Sequence, residues 1–208
     1  MGLGGIFLSA VTGNGNQNYL SDVHSEVLQI CEVNSQAANS IVGTKISVTE
    51  LDWCSYDGKS LSNIVKNVDT VIGADIFYDS SLFAPLSKLL SEMFEINSSL
   101  EIFLCVTLRN EKTWNMFVKS CQEHRLSVRH VTSCKELETH IFDYDRSIPI
   151  NIVQILRTYI LQSGCIPSLR KTHVTPPSDS CLIIAIQIIS IKYQIVVIAL
   201  KPKQGNQK

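Results

Sequence analysis

The chain has 208 residues, 45% hydrophobic and 18% charged, which is long enough to bury one sizeable core and too apolar for a disordered chain. Its net charge of −1 gives no general attraction to nucleic acid or to anionic membrane. Charge is unevenly spread, net −6 over residues 1–157 and +5 over 158–208, a break that separates a domain (1–157) from a linker and hydrophobic tail of different origin (158–208).

Taken in chain order, Gly2, Gly4 and Gly5 precede a short apolar helix at 6–11. A strand ends at Tyr19-Leu20-Ser21-Asp22, and residues 23–38 read as a weakly amphipathic helix. Residues 46–50 form a short β-branched strand, and 68–74 are an apolar run bounded by charge, as in a strand buried on both faces. Leu82, Phe83, Leu86, Leu89, Leu90 and Met93 then recur at helical spacing, with Asp79, Ser80 and Ser81 as N-cap candidates. A strand at 100–107 and a helix at 111–124, with Trp114, Phe117, Val118 and Cys121 on one face, complete the alternation. Such an order gives an α/β fold, a parallel sheet with helices on both faces. Two more strands, 127–131 and 148–156, lack a good helix between them and are expected to pair antiparallel at one edge.

Beyond them, Gly164, Pro167, Pro176 and Pro177 mark an irregular linker, and 182–200 is a nearly continuous apolar run. A membrane span needs about twenty such residues. Gln187, Lys192 and Gln194 stand against one, Lys192 alone costing about 2.5–3.5 kcal/mol near the centre of a span. Ile189, Ile191, Tyr193, Ile195 and Val197 alternate with Ser190, Lys192 and Gln194, which is strand periodicity. The run reads as an accessory strand or a loosely held tail, with a membrane anchor as the lesser alternative. Seven cysteines without any CxxC read as reduced thiols of a cytoplasmic or nuclear protein, and no ligand spacing points to a metal. The first residues lack a basic n-region, and Ile6 stands where myristoylation wants Ser or Thr.

A nucleotide-type cofactor in such a fold lies across the carboxyl ends of the parallel strands. It needs a glycine turn where backbone can approach it, for which Gly2, Gly4 and Gly5 are candidates. It also needs an acidic residue about twenty positions on for the ribose hydroxyls, a place that Asp22 occupies. Adenine needs an apolar or aromatic wall with a polar neighbour, which Leu51-Asp52-Trp53 can supply. Each has a plainer reading: glycines at a terminus are often only flexible, Asp22 can cap the helix that follows, and Trp53 can be ordinary core. Dehydrogenases fit this far as well.

The segment Asp69 to Tyr78 narrows the choice, because a buried strand ending in Gly73-Ala74-Asp75 carries a carboxylate and, three residues later, the Tyr78 phenol to the same edge. With Leu51-Asp52-Trp53, it resembles the seven-strand lysine methyltransferases, whose fourth strand ends in Asp-x-x-Tyr. The chain is similar to the elongation factor 2 lysine methyltransferase family in Ser21-Asp22-x-His24-Ser25-x-Val27-Leu28, Gly73-Ala74-Asp75-Ile76-Phe77-Tyr78, Thr107-Leu108-Arg109-Asn110 and Ile141-Phe142-Asp143-Tyr144, in that order. The likeness covers about residues 2–157.

This resemblance implies a Rossmann-like seven-strand sheet, S-adenosylmethionine as cofactor, and a protein substrate, translation elongation factor 2, in the cytoplasm. It implies Gly2, Gly5, Asp22, Asp52, Trp53 and Ala74 as cofactor contacts and Asp75 and Tyr78 as catalytic residues. Arg109 and Asn110 either touch substrate or hold loops. His24 reads as a structural hydrogen-bonder, and His124 and His130 as surface residues. Family members carry a first strand followed by Glu-Leu-Gly-x-Gly-x-Gly-x-x-Gly, of which Gly2-Leu3-Gly4-Gly5 matches only the end. The expectation is therefore a sheet lacking its first strand, as in a splice variant or incomplete gene model, with no family counterpart to the tail after Arg157. That strand would lie between the one ending at Ser21 and the one ending at Ala74. If the tail folded back as residues 189–197, Lys192 would make the vacant slot an expensive home, so the tail is expected to stay out. The chain is then expected to be marginally stable and to bind cofactor poorly. Rival functions are a methyltransferase acting on another protein or a small molecule, a non-catalytic binding fragment, and more distantly a nicotinamide dehydrogenase.

Overall fold

The computed structural model describes residues 2–12, 17–42, 45–74, 76–77, 79–132, 150–158 and 195–199. Helix α1 (Leu3–Thr12) leads into strand β1 (Gln17–Asp22), α2 (Ser25–Val42) and β2 (Lys45–Glu50). After α3 (Gly58–Val65) come β3 (Thr70–Ala74), a 3-10 turn (Ser80–Leu82), α4 (Phe83–Ile96), β4 (Glu101–Thr107) and α5 (Glu111–Glu123). Strands β5 (Leu126–Thr132), β6 (Ile150–Arg157) and β7 (Ile195–Ala199) complete the order.

The fold is mixed α/β, built on one seven-stranded sheet in the order β2-β1-β7-β3-β4-β6-β5. β1 pairs parallel with β2 and β3 with β4, while β7 runs antiparallel to both β1 and β3. The first four strands therefore all point the same way, and their carboxyl ends share one edge. β6 is antiparallel to β4 and β5, which leaves β5 at the sheet's border as the sequence suggested. On one face, α3, α4 and α5 bury Leu61, Leu86, Leu90, Met93 and Phe117 against Val71, Ile102, Leu104 and Val153. On the other, Leu20, Cys31, Ala38 and Ile46 form a second cluster beneath α1 and α2.

Two features depart from expectation. No helical pattern in the sequence marks 58–65. Yet the Asp57 carboxylate accepts the N–H groups of Lys59 and Ser60, and Leu61 and Val65 fall one turn apart and are buried, so a cap and two core residues suffice for two turns. The second departure is larger: the tail does not stay out. Ile195–Ala199 occupies the slot between β1 and β3, Val197 in register with Leu20 on one side and Ile72 on the other. The objection to this arrangement was the set Ser190, Lys192 and Gln194, and it fails because the strand begins one residue after Gln194. Ile195-Val196-Val197-Ile198-Ala199 is uninterruptedly apolar, the composition a strand flanked on both sides requires. The earlier part of the apolar run, 182–194, lies outside the described residues. Among the described residues no helix is long and apolar enough to cross a membrane.

Gly73 fixes how closely β3 packs. A Cβ there would stand 2.7 Å from Leu104 Cδ2 and 2.9 Å from Ile76 Cδ1, both on side chains about 1% exposed. Neither can swing into solvent. Gly73→Ala is therefore expected to destabilise the protein by about 1–3 kcal/mol, the usual range for overpacking a core. Chemical denaturation would measure this, and an unchanged midpoint would show that the core yields there.

Candidate active site

The carboxyl edge of the parallel strands gathers most of the residues singled out in the sequence. Asp22 closes β1, where Oδ1 accepts the N–H of Val23 at 2.8 Å and of His24 at 2.9 Å. Its backbone carbonyl receives the N–H of Leu51, tying the end of β1 to the loop leaving β2. The Val23 and His24 amides precede α2, whose first turn opens with the Leu28 N–H on the His24 carbonyl. Asp22 therefore does not cap the helix as the sequence suggested but shapes the turn before it with one oxygen, while Oδ2 has no hydrogen-bond partner among the described residues. His24 is exposed and takes part through its backbone.

Beyond β2, a cleft of about 290 Å³ lies between residues 49–57 and α3, lined in part by Glu50, Asp52, Tyr56, Asp57 and Leu61. Asp52 is half-buried, and its Oδ1 accepts the N–H of Cys54 at 2.8 Å, which shapes the loop. Trp53 packs against the main core and is not among the residues lining that cleft. Tyr56 lines it, and its hydroxyl donates to Glu92 Oε2 at 2.6 Å. Burial first, and the Glu92 carboxylate second, push the Tyr56 phenol well above its usual range, so it stays a donor at any physiological pH.

The glycines sit differently from a free turn. Gly2 is buried with φ +76°, and a Cβ would stand 3.0 Å from Leu20 Cδ1 and 3.3 Å from Cys31 Sγ. Both the left-handed backbone and the close approach require glycine there. Gly4 and Gly5 lie inside α1, where the Gly5 carbonyl accepts the Ser9 hydroxyl at 2.8 Å.

At β3, Ala74 ends the strand half-buried, in register with Cys105 of β4 and Ile195 of β7. Asp75 and Tyr78 lie outside the described residues. Their neighbours are firmly held. Ile76 is buried, and the Phe77 ring meets Phe117 at a centroid distance of 4.2 Å and Trp114 at 6.1 Å. Asp79 accepts the backbone N–H and hydroxyl of Ser81, which holds its carboxyl below the usual range. The segment between Ala74 and Asp79 is thus anchored on both sides. A smaller cleft of about 190 Å³ adjoins it at the end of β4, lined in part by Phe77, Arg109, Asn110 and Trp114. Asn110 is the N-cap of α5, accepting from Lys112 and Thr113, so its loop-holding role is met. His130 is exposed, whereas His124 is half-buried with Nδ1 2.9 Å from the Ser120 carbonyl. Among the described residues, no group of His, Cys, Asp or Glu is arranged to hold a metal ion.

The carboxyl edge of the parallel strands, where these carboxylates and clefts lie, is where open α/β sheets generally bind their ligands. Residues 1–124, more than half of the chain, match the family described as lysine methyltransferase. The chain belongs to that family. It is 33% identical over 104 residues to an uncharacterized Dictyostelium discoideum protein, covering 48% of this chain and 29% of the relative. It is 33% identical over 63 residues to Protein-lysine N-methyltransferase EFM3 of Chaetomium thermophilum, covering 30% and 19% respectively. To the Saccharomyces cerevisiae protein of the same name it is 25% identical over 123 residues, covering 57% and 34%. The matched stretches thus span no more than about a third of these relatives' lengths. Among solved structures, LPL1258 from Legionella pneumophila aligns over 89% of this chain and 61% of its own at TM-score 0.43 and 9% identity.

Proposed function

We propose that this chain carries the S-adenosylmethionine-dependent core of a protein-lysine methyltransferase, with translation elongation factor 2 as its substrate and the cytoplasm as its setting. The observation that carries the reading is the coincidence of two things. The lysine methyltransferase match covers residues 1–124, and within it Asp22, Asp52 and the end of β3 converge on one sheet edge. In this reading the seven-stranded sheet is a Rossmann-like methyltransferase sheet whose central position is filled by β7.

The residues present fit the cofactor. Asp22 keeps a carboxylate oxygen for a ribose hydroxyl, and the cleft beside Asp52 sets apolar Leu51, Leu61 and Ile64 beside a few polar side chains, a lining suited to a heterocycle. Gly2 and Gly5 lie at the start of α1 and Ala74 at the end of β3, both at the edge where the nucleoside would rest. Trp53 supports the same loop from the core side. Bound S-adenosylmethionine supplies an electrophilic methyl carbon. The protein's part is then chiefly proximity and orientation. Asp75 accepts a hydrogen bond from the incoming neutral lysine amine, and the Tyr78 ring faces the nitrogen as it becomes cationic.

Asp22 gives a direct test by calorimetric titration with S-adenosylmethionine. Asp22→Ala is expected to weaken binding tenfold or more, since charge-assisted hydrogen bonds are worth about 1.5–3 kcal/mol. Asp22→Asn keeps an oxygen for the Val23 and His24 amides, so it separates loss of charge from loss of the turn. Unchanged affinity in both variants would remove Asp22 from the ribose site.

A further inference from the structure

The loop between β2 and α3 carries a contact that reaches across to a distant helix. Tyr56 lines the same cleft as Asp52 and packs, like Trp53, against the main core, whereas Trp53, the aromatic expected there from the sequence, is not among the residues lining the cleft. A tyrosine ring contributes apolar wall at little entropic cost, but its half-buried hydroxyl must find a partner. That partner is the carboxylate of Glu92, thirty-six positions along the chain, at 2.6 Å. This is an ordinary length for a charge-assisted O–H···O⁻ bond, among the stronger kind. Glu92 in turn stands 3.7 Å from Lys88, one turn earlier on α4. A line of polar contacts thus runs from α4 to the aromatic wall of the cleft.

We propose that Tyr56 is a further cofactor-binding residue, its ring forming a wall of the adenosine subsite, and that Glu92 is the positioning residue holding that ring. The inference rests on the cofactor reading above and deepens it. It makes the 51–57 loop a rigid wall only while α4 is docked. It also predicts that the Tyr56 hydroxyl matters for affinity although it points away from the ligand, toward Glu92.

The test is calorimetric titration of the full chain and its variants with S-adenosylmethionine and with S-adenosylhomocysteine, which share the adenosine. Thermal unfolding of each unliganded protein is recorded alongside. Tyr56→Phe and Glu92→Ala are each expected to weaken both ligands about three- to tenfold, the effect of one lost hydrogen bond. Tyr56→Leu should weaken them more. Glu92→Gln, which still offers an oxygen to the phenol, should stay within about twofold of the unaltered protein. This pattern supports the assignment, because loss of the bond to Glu92 lowers the unliganded Tyr56→Phe transition in either role, whereas a merely structural role would leave the affinity unchanged. Unchanged affinity in Tyr56→Phe and Tyr56→Leu overturns it and leaves the cofactor reading intact. Loss confined to S-adenosylmethionine also overturns it, since the ring would then serve the methyl end. If the unaltered chain binds neither ligand, both readings fall together.

Discussion

Replacing Val197 by proline is expected to lower the unfolding temperature by about 6–12 °C, or to abolish a cooperative transition altogether. Val197 is the middle residue of β7, in register with Leu20 of β1 and Ile72 of β3. Proline there removes a backbone donor from a strand bonded on both sides and sets a ring against the ladder, a cost of about 3 kcal/mol or more. A domain's whole stability is only about 5–15 kcal/mol, and each kilocalorie moves the midpoint of a chain this long by about 2–4 °C. Removing residues 195–208 should do more, because β1 and β3 would each lose a partner along the centre of the sheet. The amides of β1 and β3 should then lose hydrogen-exchange protection, while those of β5, at the far border, keep theirs longer. Gln204→Pro, beyond the strand, serves as the control. A Val197→Pro protein melting with the unaltered chain would show that β7 is not a structural member of the sheet, and the expectation of a loose tail would return.

The alternation of strands and helices up to Arg157 was legible because each element carries its own local signal. The β3 run is uniformly apolar between charges, α4 repeats its leucines at helical spacing, and Asp79 sits where a cap belongs. α3 was missed because eight residues with two buried side chains give too short a period to stand out. The placement of β7 was misjudged for a different reason. Alternation over 189–197 favoured a half-polar strand, but a slot between two buried strands selects the continuous apolar pentapeptide just beyond it. Pairing partners 120 or more residues away are invisible to any local pattern. At the candidate site, the positions of Asp22 at the end of β1 and of Asp52 just after β2 could be read from the sequence, and their cofactor roles are those proposed above. Tyr56 could not, since its partner Glu92 lies on another element and only the folded chain brings them to 2.6 Å. Gly2 was legible as a glycine that matters, though the visible reason is its left-handed backbone and its contact with Leu20 and Cys31.

Asp75→Ala is expected to slow methyl transfer by about a hundredfold while leaving the dissociation constant for S-adenosylmethionine within about twofold, the scale of effect seen when a reacting group is displaced by about 1 Å. The carboxylate is assigned to the incoming amine, and the adenosine is assigned to Asp22, Asp52 and Tyr56, so the two readouts should separate. Tyr78→Ala should cost about 3- to 30-fold in transfer, the range of a cation–π contact of about 0.5–2 kcal/mol, and Tyr78→Phe should recover most of it because the ring remains. The segment's anchors make this interpretable. Ile76 is buried and Phe77 is locked among Phe83, Trp114 and Phe117, so a truncation at position 75 or 78 leaves the flanking core contacts in place. The measurement is single-turnover transfer of labelled methyl to elongation factor 2, with calorimetric binding of the cofactor in parallel. Equal losses in transfer and binding would assign Asp75 and Tyr78 a structural role. Labelled product absent with elongation factor 2 but present with another protein or a small molecule would reassign the substrate and leave the residue roles standing. Transfer by Asp75→Ala at the unaltered rate would remove that carboxylate from the reaction.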